Sequence, residues 1–185
     1  MIARLFSALF LLALLAAAAA IWLPPAVPPG PGPGPPDQIL PEVALSGALD
    51  RILIEKSARR ITLFQKGRPV RIWPMALGFS PEGDKEREGD GRTPEGSYLI
   101  DRRNDRSSYH LSLGLNYPLP EDITRARAGG YAPGGDIMIH GQPNGLTEPL
   151  MIPGDWTAGC IAITNAQMRE IWDHAPIGTP VQILP

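Results

Sequence analysis

Two side chains in the C-terminal part of the chain have the types needed for nucleophilic chemistry. One is Cys160, the single cysteine among 185 residues, and the other is His140, one of three histidines. A free thiol is only a few per cent ionised near neutral pH, so it attacks a carbonyl well only when a base takes its proton. An imidazole can take that proton and later return it to a leaving amine. Glycine flanks both residues, with Gly141 after the histidine and Gly159 before the cysteine. A glycine lets the backbone approach a substrate closely, and its N–H can face a developing oxyanion. The plain alternative is a buried structural cysteine and an unrelated, satisfied histidine.

The flanking sequence shows how the two could meet. Ile137-Met138-Ile139 reads as a buried strand that delivers His140 at its end. After a loop of about fifteen residues, Asp155-Trp156-Thr157-Ala158-Gly159-Cys160 leads into a second apolar strand, Ile161-Ala162-Ile163. Thiol and imidazole therefore fall at adjoining ends of two strands. Further strands are expected over Arg51–Lys56, Arg60–Gln65, Pro69–Leu77, Ser97–Ile100, Ser112–Tyr117 and Pro180–Leu184, from their β-formers and bounding turn residues. Helices are expected over Pro120–Ala128, with Glu121 and Asp122 in its first turn, and over Asn165–His174, capped by Thr164 or Asn165. The fold class is mainly β with a few short helices, in one domain over residues 41–185.

The first 40 residues differ from the rest. Residues 1–23 carry one charge, Arg4, and Leu5 to Leu23 is apolar apart from Ser7. That run can span a hydrocarbon core of ~30 Å at ~1.5 Å per residue, and it also has the small residues of a cleavable export signal. In either case the globular part is expected outside the cytoplasmic membrane, in the periplasm or on the outer side of the inner membrane. Residues 24–40 form a Pro/Gly-rich linker suited to a tether. In an exported chain an unpaired cysteine is a candidate working thiol. The net charge of −2 gives no basic face for nucleic acid, and the domain is expected to act as a monomer. Zinc is not expected, because Cys160 and the histidines lack the paired short spacings of such sites.

These motifs together resemble the L,D-transpeptidase catalytic domain family (YkuD type). The resemblance rests on His140-Gly141 followed by Thr157-Ala158-Gly159-Cys160. It also rests on Gly89-Asp90-Gly91-Arg92-Thr93-Pro94-Glu95-Gly96-Ser97-Tyr98, on Gly134-Gly135-Asp136-Ile137-Met138-Ile139-His140, and on Gly178-Thr179-Pro180-Val181-Gln182-Ile183. It implies a β-sandwich catalytic domain that needs no metal or organic cofactor and acts on peptidoglycan stem peptides. Cys160 would attack an L-to-D peptide bond beside diaminopimelate and form a thioester. His140 would be base and then acid, Gly141 would orient it through its carbonyl, and the Gly159 and Cys160 amides would hold the oxyanion. Thr157, Trp156, Tyr109 and His110 would line the substrate cleft. An amine acceptor gives cross-linking or protein attachment; water gives hydrolysis by an L,D-carboxypeptidase or amidase. A non-catalytic peptidoglycan-binding module is the reading from another class. One position departs from the pattern: many members have arginine two places after the cysteine, where this chain has Ala162. Arg102, Arg103 and Arg106 are the candidates to replace its contact with a substrate carboxylate.

Overall fold

Ile52 and Ile54, then Ile61 and Leu63, are fully buried at alternate positions, the two-residue period of strands with one face on a core. They belong to β1 (Arg51–Glu55) and β2 (Arg60–Gln65), which pair antiparallel. The computed structural model describes residues 44–185. The remaining strands are β3 (Arg68–Pro74), β4 (Gly96–Ser107), β5 (His110–Leu115), β6 (Met138–His140), β7 (Ile161–Ala162) and β8 (Pro180–Leu184). The helices are α1 (Pro120–Gly129) and α2 (Asn165–His174).

The strands form one sheet in the order β3-β2-β1-β8-β4-β5-β6-β7. Strand β4 serves both halves. Gly96–Leu99 pair with β8, and Ile100–Ser107 pair with β5. The sheet curls until the segment after β3 meets β7, where Ala76 and Ala162 exchange backbone hydrogen bonds of 2.9 Å each way. The enclosed core includes Ile100, Leu113, Leu115, Ile139, Ile161 and Ile171, each side chain contributing about 1.5–3 kcal/mol by leaving water. Helix α2 seals it with Met168 and Ile171. Thr164 caps α2, accepting from the Gln167 amide at 3.2 Å, while the Gln167 side chain accepts from the Thr164 amide at 3.0 Å, a reciprocal capping box.

Three boundaries differ from the sequence expectation. Strand β3 stops at Pro74; Ala76 instead bridges to Ala162 of β7, and Leu77 O accepts from the Thr157 amide. Strand β4 runs through the charged stretch Asp101–Arg106, held by its pairing with β5 rather than by its own pattern. Strand β6 starts at Met138 because Asp136 has φ +53°, which breaks the extended backbone. The expected N-terminal anchor and linker lie outside the described residues. Among the described residues no helix is long and apolar enough to cross a membrane.

Candidate active site

Strands β6 and β7 are parallel, with Ile139 opposite Ile161 and His140 opposite Ala162. Cys160 precedes Ala162 by two positions, so the strand period places it on His140's side of the sheet. His140 closes β6 and Cys160 leads into β7, so the two residues lie on paired, adjacent strands.

His140 is only 4% exposed. Its Nδ1 lies 2.7 Å from the Gly141 carbonyl. A carbonyl can only accept, so Nδ1 carries the proton and Nε2 keeps a free lone pair in the neutral ring. Burial pushes the His140 pKa below the ordinary histidine value, and the Gly141 carbonyl offsets part of that. The neutral, Nε2-basic form is therefore the resting form near pH 7. Tyr109 and Trp156 enclose the ring, with centroids 4.7 Å and 5.8 Å away, and they approach each other at 5.9 Å. The β4–β5 turn that carries Tyr109 is pinned by Asn144, which bonds Ser107 O and the His110 amide. The Gly141 amide donates to Tyr109 O at 3.1 Å and Leu111 O at 3.2 Å.

The Cys160 thiol donates to the Asp136 carbonyl at 3.4 Å, and no hydrogen bond joins it to His140. Burial pushes its pKa up. The Met138 N–H opposes this, the Asp136 charge adds to it, and Lys85 and Arg102 oppose it. Thiol and imidazole thus rest as a neutral pair. The chemistry this arrangement can perform is general-base attack, after the side chain turns from Asp136 toward Nε2.

The loop that presents the thiol is tightly braced. Gly159 has φ +136°, and a Cβ there would lie 2.6 Å from Arg92 O, so only glycine fits. Asp155 accepts from Arg59 at 2.8 Å and 3.0 Å and from the Leu77 amide at 2.9 Å, which ties the loop to the β1–β2 turn. Two of the expected site groups are engaged within this loop. Thr157 is buried, its hydroxyl donates to Cys160 O at 2.7 Å, and the same hydroxyl accepts from the Gly159 amide at 3.1 Å. The Gly159 amide thus points back into its own loop. Trp156 and Tyr109 do line the region around His140. His110 sits beside them with φ +63° and a buried, unpartnered Nε2.

The chain matches the model of the YkuD family, the L,D-transpeptidase catalytic domain, over residues 49–183. It belongs to that family. It is 33% identical over 92 residues to the candidate L,D-transpeptidase YafK of Escherichia coli K12, covering 49% of this chain and 30% of that one. The structure of the helical cell shape determining protein Pgp2 from Campylobacter jejuni matches with a TM-score of 0.55 and 25% identity, over 74% of this chain and 49% of that one. Bd1075 of Bdellovibrio bacteriovorus shares the fold, with a TM-score of 0.52 and 22% identity over 78% of this chain and 50% of that one. The chain thus spans about a third of the curated relative and half of these structures.

Within the family pattern, the Ala162 departure has a physical basis. Ala162 is 0% exposed, with His140 opposite on one side and Ala76 on the other, so an arginine has neither space nor water there. Of the three arginines weighed as replacements, Arg103 is committed elsewhere. It lies over the Trp172 ring at 3.9 Å and donates to Ala175 O. Arg106 is exposed, and its amide is held by Asn104. Arg102 reaches Asp136 at 2.9 Å, next to the carbonyl that receives the thiol. Sequence reading missed Asp136, Lys85 and Asn165. Lys85 is 3% exposed and paired with Asp90 at 2.8 Å. Burial raises the Asp90 pKa, but hydrogen bonds from Arg87, Lys85, Arg92 and Glu86 outweigh it and hold the group at about 2. The only hint in the sequence was the position of Asp90 in the Gly89–Tyr98 motif.

Proposed function

We propose that the protein is a cysteine acyltransferase of the L,D-transpeptidase type, acting on peptidoglycan stem peptides outside the cytoplasmic membrane. The observation that carries this is the His140 ring: its Nδ1–H is fixed on the Gly141 carbonyl and its Nε2 left basic, one strand away from the single thiol. The thiol passes its proton to Nε2 as sulfur bonds to the carbonyl carbon of the L-to-D bond beside diaminopimelate. The oxyanion formed is stabilised by the Cys160 amide. Collapse breaks the C–N bond, and His140 returns the proton to the departing amine, leaving a thioester. An incoming amine then gives a cross-link or attachment, and water gives a shortened stem. In both cases His140 takes the nucleophile's proton and the thiol is restored.

Incubation of the purified chain with diaminopimelate-containing muropeptides, followed by mass spectrometry, tests this and reports the acceptor. Wild type converts the peptides, and Cys160→Ala does not. Conversion at an undiminished rate by the Ala variant rules the assignment out. Wild-type binding to sacculi without turnover, and without labelling of Cys160, identifies a binding module instead.

A further inference from the structure

We propose that Asn165 is a positioning residue for the base, acting through the peptide unit between Gly141 and Gln142. The inference rests on the reading of His140 as that base. Asn165 opens α2 and is buried, with 9% exposure. Its Oδ1 accepts from the Gln142 amide at 2.7 Å. The carbonyl of the same peptide unit, Gly141 O, is the acceptor that holds His140 Nδ1 at 2.7 Å. The chain of contacts therefore runs from carboxamide to peptide N–H, from peptide C=O to imidazole N–H. Hydrogen bonds in series polarise one another, strengthening each by ~10–30%. An amide that donates to Asn165 thus has a stronger acceptor oxygen at its other end. The imidazolium that forms as Cys160 attacks is the species that benefits.

The surroundings allow this peptide no other setting. A Cβ on Gly141 would lie 2.5 Å from Asn165 Oδ1, so the glycine is what lets the carboxamide close in. The Gln142 side chain donates to Ile163 O at 2.8 Å and accepts from the Ile152 amide at 2.9 Å. Those two bonds lock the residue between the exit of β7 and the loop that follows His140. The titratable groups around His140 are Tyr109, stacked on it from the β4–β5 turn, His110, packed against Gly141, and Cys160, which leads into the paired strand β7. The first turn of α2 brings no charged side chain, so Asn165 acts by hydrogen bonding and not by charge.

The test reads His140 directly. In the full chain carrying ring-labelled histidine, NMR titration gives the pKa of each imidazole, with His140→Gln assigning the signal. Asn165→Leu keeps the bulk but removes the acceptor, and His140 then titrates at lower pH than in wild type. Asn165→Asp keeps the acceptor and adds charge, and His140 titrates higher. With muropeptide substrate the Leu variant loses about 3- to 10-fold in kcat, the worth of one hydrogen bond, while KM stays within about 2-fold, and the acid limb of the pH–rate profile follows the NMR shift. Asn165→Ala, which adds no volume, carries the same expectation if the Leu variant does not fold. An unchanged His140 pKa in the Leu or Ala variant overturns the proposal, as does a rise in KM with kcat intact. Because the titration needs no substrate, its outcome is independent of the Cys160→Ala experiment that tests the catalytic reading.

Discussion

Replacing Thr157 by valine separates a brace from a substrate contact. The change is close to isosteric and removes only the hydroxyl, which donates to Cys160 O at 2.7 Å and accepts from the Gly159 amide at 3.1 Å. The Gly159 amide is then buried without a partner, at a cost of about 1–3 kcal/mol. Cys160 is half-buried, so the loss at its carbonyl is smaller than that at the amide. The added methyl group returns about 0.8 kcal/mol. The balance is a destabilisation of about 2 kcal/mol, or about 6–8 °C in Tm for a domain of this size. Urea unfolding with an unchanged m-value and a lowered midpoint is the expected result. In muropeptide assays the variant lowers kcat, because the loop that aims the thiol is loosened, and leaves KM nearly unchanged. A variant as stable as wild type but with raised KM would refute the reasoning and return Thr157 to the substrate cleft.

Three other expectations follow from the structure. Ala162→Arg places an unpaired cation at a fully buried position and costs about 3 kcal/mol or more; chemical denaturation checks this, and unaltered stability would show that the β6–β7 seam has unfilled space. Alkylation of Cys160 by iodoacetamide rises with pH through a midpoint above that of free cysteine, since burial disfavours the thiolate. Turnover falls only at a pH below the ordinary histidine range, where the depressed His140 pKa finally allows Nε2 to be protonated. An alkylation midpoint below that of free cysteine would instead indicate a resting thiolate–imidazolium pair.

The strands that position His140 and Cys160 were legible because their apolar runs end in residues of distinct type. Ile137-Met138-Ile139 before His140 and Ile161-Ala162-Ile163 after Cys160 each point to a buried strand with a functional end, and β6 and β7 lie there. Both helices stand where Pro120 and the Thr164 capping box put them. Strand β4 was under-read because Asp101–Arg106 has no apolar face of its own; partner β5 sets its state, and pairing across a hairpin is not encoded in local period. The internal bonding of Thr157 and the Gly159 amide was illegible for a related reason. A motif says which residues are grouped, but whether a hydroxyl points to a cleft or back at its own loop depends on the φ +136° turn at Gly159. Asn165 could be read only as a helix start, because its partner Gln142 lies across a loop whose path the sequence does not give.

The sheet order joins the first described strand to the last, with Ile52 beside Val181, and joins Ala76 to Ala162. Such pairings close large loops before they return any contact energy, which makes assembly slow. The Cys160 loop hangs on this closure, through Asp155 to Arg59 in the β1–β2 turn and through Asp155 and Thr157 to Leu77. Its order thus depends on partners 78 and 96 positions away in the sequence, and it is acquired only as the sheet closes.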